Sequence, residues 1–305
     1  MNLESKFVWM NGALVPSDKA VVPFLTPALH YGTAVFEGMR AYRTASGPAI
    51  FRLKDHIARL FSSARIFGFD EFPWSVDQVT QGSKSVVREN GFSECYVRPL
   101  IFAASGHMGL SLLGIRPGLG IAAWEWKGFV SEEAETRGLR ANVSSFTRHH
   151  PNIMMTKSKL AGNYGNSILA RTESARLGFD EALMLDPSGL VAEGTGENLF
   201  VIRKGVIYTP HLATVLEGLT RDSIITIARG LGHEVREEPL SRDQLYAADE
   251  VFVCGTAAEV LGIRELDFRT IGTGSRGPIT TRLAATFKRV VRGEEEKYAE
   301  WIDLC

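Results

Sequence analysis

Two hydrophobic periods alternate along this chain, which restricts it to folds that mix helices with strands. Ile57, Leu60, Phe61 and Ala64 recur at helical spacing and predict a helix over Leu53–Phe67. Ser75–Asn90, Asn163–Leu177, Arg221–Leu231 and Pro278–Val291 also fit helices. Short apolar runs between them read as strands: Gly38–Thr44, Ala49–Phe51, Cys95–Phe102, Ile121–Trp124, Leu139–Ser145, Glu181–Leu185, Leu199–Ile202, Val235–Glu238 and Glu250–Cys254. The first element is a hairpin, because Phe7–Met10 and Ala13–Val15 flank Asn11-Gly12, a pair suited to the positive φ angles of a two-residue turn. No internal repeat or low-complexity tract interrupts the pattern. Pattern alone gives a mixed α and β chain and does not select one architecture.

A length of 305 residues implies two domains rather than one small core. The polar, aperiodic stretch Lys127–Arg137 is the best linker candidate. The hydrophobic fraction of 45% suffices for a sizeable core. A net charge of −1, with no run of five like charges, gives no reason to expect nucleic acid or an anionic membrane as a partner. The opening Met1-Asn2-Leu3-Glu4-Ser5-Lys6 carries charges where a secretory signal needs an apolar run, and no segment approaches the roughly 18 apolar residues of a membrane span. A cytoplasmic location is expected. Cys95, Cys254 and Cys305 are odd in number and scattered. The first two sit in apolar runs and read as buried reduced thiols.

Several motifs fail for want of context. Gly272–Gly277 matches G-x-G-x-x-G literally, but a dinucleotide fold needs it at the first strand–helix turn with an acidic residue about 20 positions on. This copy precedes one last helix, so a glycine-rich turn capping that helix is the better account. A nicotinamide-dependent oxidoreductase would rest on this loop alone. His149-His150 lacks companion ligands and reads as a polar loop, so no metal site is expected.

The informative segments are T-K-S-K-L-A-G-N-Y-G-N-S at 156–167, V-A-E-G-T-G-E-N-L-F at 191–200, L-E-G-L-T-R-D-S-I at 216–224 and C-G-T-A-A-E-V at 254–260. The N-terminal half adds H-Y-G-T-A-V-F-E-G-M-R-A-Y at 30–42 and Y-V-R-P-L-I-F at 96–102. In this order they resemble the branched-chain amino acid aminotransferases of the fold-type-IV pyridoxal-phosphate family, from Asn11-Gly12 to Trp301-Ile302-Asp303. The resemblance implies a two-domain α/β fold: a small α/β sandwich domain over 1–125, a linker over 126–137 and a larger domain with a barrel-like sheet over 138–305. It implies transamination of leucine, isoleucine and valine with 2-oxoglutarate, by a ping-pong mechanism on pyridoxal 5′-phosphate, in a homodimer or larger homo-oligomer. A carrier of the cofactor without catalysis would have no use for Tyr96 and Arg98.

The chemistry requires an amine to form an imine with the cofactor aldehyde and a base to move a proton between two carbons. Lysine can do both. Lys157 and Lys159 compete. The resemblance selects Lys159, five positions before the tyrosine of G-N-Y, and leaves Lys157 as a surface charge. Glu193 is implied as the carboxylate that keeps the ring nitrogen protonated, and Tyr164 as the donor to the ring oxygen. Taken alone, Glu193 reads as a loop glutamate and Tyr164 as a packed helix tyrosine. For the phosphate, Leu219-Thr220-Arg221-Asp222 looks like a helix start with Thr220 at the cap. Gly196 and Thr256 join it by resemblance. Arg59 matches the family's phosphate arginine through D-H-I-A-R-L, where Arg65 does not. By itself Arg59 is a helix-surface charge.

On the substrate side the resemblance assigns the α-carboxylate to Tyr96, Thr256 and Ala257. Arg98, two residues along the same strand, shares the face of Tyr96 and is assigned the distal carboxylate of glutamate. Phe36, Gly38 and Tyr31 are assigned the aliphatic side chain. Leu100 stands where D-amino-acid aminotransferases of this fold place a basic residue, and V-R-P-L-I-F is unlike the aminodeoxychorismate lyases. Lys127 and Phe129 replace the family's usual Gly and Tyr, and G-H-M-G-L-S-L-L-G at 106–114 lacks its Asn-Pro. The alternative within the same fold is a range shifted to aromatic L-amino acids, (R)-amines or D-amino acids.

Overall fold

The computed structural model describes residues 5–69 and 71–305. The charges read at Met1–Glu4 lie outside them. Two compact units form. One combines residues 1–127, 157–163 and 289–305, and the other combines 128–156 and 164–288.

In the first unit an antiparallel sheet runs in the order Ile302–Leu304, Gly47–Phe51, Met39–Thr44, Cys95–Ser105, Arg116–Trp124, Phe7–Met10, Ala13–Pro16, with Ala34–Phe36 also on Cys95–Ser105. The hairpin turn has Asn11 at φ 51° and Gly12 at φ 106°, the signs its residues favour. The helix Leu53–Phe67 has the expected bounds and buries Ile57, Leu60 and Ala64 completely. The helix Val76–Asn90 begins in a capping box, with Ser75 Oγ accepting from the Gln78 N–H and Gln78 Oε1 from the Ser75 N–H. Strand Arg116–Trp124 starts five residues earlier than its apolar run predicts. Pro117, Gly118 and Gly120 look like turn residues, yet they continue the ladder to Cys95–Ser105. A Cβ at Gly118 would lie 2.6 Å from Phe102 Cζ, so this glycine serves packing rather than a turn.

In the second unit a mixed sheet runs Val191–Gly194, Glu181–Leu185, Leu139–Val143, Glu259–Leu266, Glu250–Gly255, Asn198–Arg203, Val206–Thr209, Val235–Glu237, with Arg269–Thr270 on Glu259–Leu266. Leu139, Leu183, Leu199, Val253 and Ile263 lie in its core. The stretch expected to be an aperiodic linker contains a helix, Glu132–Arg137. Ser131 Oγ caps it, and three glutamates in its first turn favour its dipole. The glycine-rich loop prepares the last helix, Pro278–Val291. Glu250 reaches under Gly277 and accepts from the Ile279 and Thr280 N–H groups, and a Cβ at 277 would fall 2.1 Å from the Glu250 carboxyl carbon. This accounts for the motif without a nucleotide.

Among the described residues no helix is long and apolar enough to cross a membrane, and no group of three or more His, Cys, Asp or Glu is placed to hold a metal. Cys95 and Cys254 are buried free thiols, and burial pushes the Cys95 thiol up to about 12.

Candidate active site

Sequence-distant motifs converge within each unit. In the first, Lys159 is fixed through its backbone. Its N–H donates to Ser63 Oγ at 3.0 Å, its carbonyl accepts from the Phe36 N–H at 3.0 Å, and Ser158 Oγ donates to the Ser63 carbonyl at 2.9 Å. Ser63 belongs to the helix Leu53–Phe67, so this helix and the strand Ala34–Phe36 hold the lysine from two sides. Lys159 Nζ stands 5.0 Å from the centre of the Phe36 ring. Lys157 is half-buried rather than the expected open surface charge.

Phe36 also faces Arg98, whose guanidinium carbon lies 4.5 Å from the ring centre. Arg98 is 5.2 Å from the Tyr96 ring and 5.7 Å from that of Trp124, and its Nη2 approaches Tyr96 Oη at 3.4 Å. Tyr96 and Arg98 therefore do share a face. Trp124 and Trp126 flank Tyr96, with ring centres 5.0 and 5.2 Å away. Gly38 belongs here for a steric reason, since a Cβ would stand 1.9 Å from Tyr96 Oη. Lys159, Phe36, Gly38, Tyr96 and Arg98 thus form one aromatic and cationic group. Tyr31 is placed elsewhere in the unit. It is 44% exposed, and its hydroxyl donates to the Met108 carbonyl in the 106–114 loop.

Arg59 is not the helix-surface charge its helix position suggests. Its side chain is 13% exposed, and Nε and Nη2 donate to Glu37 Oε1 and Oε2 at 2.6 and 2.9 Å. His56 Nδ1 lies 2.7 Å from Glu37 Oε2. Burial alone would push the Glu37 carboxyl up, but the charges and hydrogen bonds of Arg59 and His56 outweigh it and hold the group below the usual carboxylate range. Burial pushes the His56 imidazole down against the charge of Glu37, and its Nδ1, facing an ionised carboxylate, is the donor of that bond.

In the second unit Glu193 lies in the strand Val191–Gly194 and is 5% exposed, not in an open loop. Its Oε2 accepts from Asn198 Nδ2 and the Leu216 N–H, each at 3.3 Å. Oε1 is 2.9 Å from Arg148 Nη2 but out of line for a hydrogen bond, and no other donor among the described residues meets it. A buried carboxylate oxygen facing a cation yet lacking a donor fits the protonated ring nitrogen of the implied pyridoxal phosphate. Asn198 also donates to the Leu216 carbonyl at 3.1 Å and packs under Gly218, where a Cβ would stand 1.9 Å from Oδ1.

Gly218 is the N-cap of the helix Leu219–Gly230. Thr220 is therefore not the cap expected for it but the second helical residue, buried at 5% exposure. The first N–H groups of this helix begin at Leu219, still the right kind of site for a phosphate. The turn Thr256–Ala258 joins strands Glu250–Gly255 and Glu259–Leu266, and a Cβ at Gly255 would lie 3.2 Å from the Gly196 carbonyl. Gly196 and the Gly255-Thr256-Ala257 turn are thereby neighbours. Tyr164 is half-buried at the first position of the helix Tyr164–Arg176.

Sequence reasoning missed Glu37, His56, Ser63, Arg148 and Asn198. Glu37, His56 and Asn198 stand inside the motifs F-E-G, D-H-I-A-R-L and G-E-N-L-F, which was the available signal.

A family model described as Amino-transferase class IV matches residues 34–266. The chain is 48% identical to a branched-chain-amino-acid aminotransferase of Pseudomonas aeruginosa over 97% of this chain and 96% of that one. Its structure is similar to that of the T.th. branched-chain amino acid aminotransferase with pyridoxamine 5′-phosphate, at a TM-score of 0.96 and 47% identity over 99% of each chain. The same T.th. protein has been solved with N-(5′-phosphopyridoxyl)-L-glutamate and with 4-methylvaleric acid, each at a TM-score of 0.94, 46% identity and 99% of each chain.

Proposed function

This chain belongs to the amino-transferase class IV family, and from that premise we propose that it transfers the amino group between branched-chain L-amino acids and 2-oxoglutarate. Pyridoxal 5′-phosphate supplies the aldehyde that takes up the amino group and the conjugated ring that delocalises the reacting electron pair. Lys159 holds that group, and its Nζ is the base that takes the proton from the substrate α-carbon. Glu193 holds the proton at the ring nitrogen, with Arg148 facing the same carboxylate. Tyr164 donates to the ring oxygen. Arg59, Leu219, Thr220, Gly196 and Thr256 hold the phosphate.

Tyr96 and the N–H groups of Thr256 and Ala257 orient the α-carboxylate. Phe36 and Gly38 receive an aliphatic side chain, and Arg98 meets the second carboxylate of glutamate. The T.th. relative carries a glutamate adduct and a branched aliphatic acid in separate structures, and that pair of ligands supports the dual substrate. Held geometry and preset charges supply the acceleration.

One observation carries the reading: a buried glutamate oxygen set against Arg148, out of line for its hydrogen bond, in a chain whose lysine backbone is tied to two elements. Borohydride reduction followed by peptide mapping tests it. The pyridoxyl group is expected on Lys159, and a label on Lys157 would overturn the assignment. Single turnovers with leucine, then 2-oxoglutarate, test the substrates.

The protein works as a homodimer at least. Phe24, Leu25 and Leu29, with Leu110 and Leu113, expose 60–91% of their surface in the first unit, and large exposed apolar side chains of this kind support a contact with a second copy. Sedimentation of the holoenzyme at micromolar concentration is expected to give at least twice the chain mass, and a single-chain mass would overturn this. The free thiols support a cytoplasmic location.

A further inference from the structure

Glu37 is fully buried, yet nothing in the reaction as described uses it. A carboxylate at such a position is costly unless fully paired, and an apolar residue would pack as well. Its partners are specific. Arg59 presents the side-on fork of Nε and Nη2 to the two oxygens, which fixes the plane of the guanidinium. His56 Nδ1 and the Gly38 N–H, at 2.7 and 3.3 Å, fix the plane of the carboxylate in turn. Glu37 stands between Phe36 and Gly38, and the Phe36 N–H bonds the Lys159 carbonyl. Ser63, one turn beyond Arg59 on the same helix, bonds the Lys159 N–H. Glu37 therefore ties the helix that carries Arg59 to the strand that holds the lysine.

We propose that Glu37 is a positioning residue that orients Arg59 for the cofactor phosphate, through its paired bonds to Nε and Nη2. This rests on the reading of Arg59 as a phosphate ligand. The paired geometry fixes the plane of the guanidinium, and with it the direction from which Arg59 meets the phosphate. His56 serves the same end by holding the carboxylate in the plane of the fork. A side chain that merely filled space would affect phosphorylated and unphosphorylated cofactor alike. One that aims a phosphate ligand affects only the first.

The test uses the apoenzyme of the full chain, titrated separately with pyridoxal 5′-phosphate and with pyridoxal, following the cofactor absorbance. The quantity read is the ratio of the two affinities. Arg59→Met is expected to collapse the ratio, and an unchanged ratio would remove Arg59 from the phosphate and the proposal with it. Given that collapse, Glu37→Gln is expected to lower pyridoxal phosphate affinity by about tenfold or more, leave pyridoxal affinity unchanged, and add little to Arg59→Met in the double variant. Equal weakening of both ligands, or no change in the ratio, would overturn the positioning role. If Glu37→Gln does not fold, Glu37→Asp takes its place. It keeps the charge but is one methylene too short to reach both nitrogens, so the ratio is again expected to fall. Arg59→Lys is an independent arm that keeps the cation and loses the fork, and a ratio it leaves intact would also overturn the proposal.

Discussion

Glu193 sits in a short strand, yet a guanidinium, a side-chain amide and a backbone N–H converge on its carboxylate. Glu193→Gln keeps the shape and removes the charge. A hydrogen bond to a charged group contributes about 1.5–3 kcal/mol, and if that is lost only in the transition state the rate falls roughly 10- to 150-fold. Stopped-flow measurement of the first half-reaction checks this, and an unchanged rate constant would refute the role. Arg98 poses a different question, since the pocket must admit both an aliphatic chain and an acid. Its guanidinium lies against the rings of Phe36, Tyr96 and Trp124, and under the proposed reading its charge would offset the otherwise costly burial of a second carboxylate. Arg98→Leu is expected to slow the half-reaction with glutamate far more than that with leucine. Equal losses would mean that Arg98 acts on the carboxylate common to both. Retained glutamate activity would point to another cation, with His107 of the 106–114 loop as the next candidate.

Among the elements, the last helix shows how a glycine motif can be structural. The Glu250 carboxylate accepts from two N–H groups and the Thr280 hydroxyl at the start of that helix. It passes so close to Gly277 that a methyl group there would lie 2.4 Å from Oε2. Gly277→Ala is expected to destabilise the fold by about 1–3 kcal/mol through overpacking, with part of the capping contribution lost as well. Calorimetry should register this as a fall in Tm of several degrees. An unshifted Tm would mean that Glu250 withdraws freely and that the cap contributes little.

For the molecule as a whole, the informative group is Glu197. Burial first, and then the charge of Glu181, push its carboxyl up to about 8, against a hydrogen bond from the Gly196 N–H. The folded state then keeps a proton that the unfolded chain releases near pH 4.5. Between those values the unfolded state binds fewer protons, so stability falls as pH rises. Glu197→Gln removes this dependence. Urea midpoints of wild type and variant should therefore diverge in the variant's favour from about pH 5 to pH 8. Parallel midpoints would show that Glu197 is already ionised in the folded protein.

Local pattern reached far in some places and stopped in others. The helices Leu53–Phe67 and Pro278–Val291, the strand Glu181–Leu185 and the Asn11-Gly12 hairpin follow from spacing and turn chemistry within a few neighbours, and they stand where the sequence puts them. Glu259–Leu266 did not announce itself, because Gly262 and the charged Arg264 and Glu265 interrupt its alternation. Gly262 is needed only because Arg276 lies 2.8 Å from where its Cβ would be. Val191–Gly194 was hidden by its glutamate, which is buried because Arg148 answers it. The lysine, the carboxylate and the arginine proposed for the cofactor could each be singled out from a motif. Their companions were not. Glu37 meets Arg59 across 22 residues, and Arg148 meets Glu193 from a loop well before it in the sequence. Such pairs arise when sheets and helices close over long separations in the chain. A charge buried by that closure takes its partner, its orientation and its protonation from the tertiary structure rather than from its neighbours in sequence.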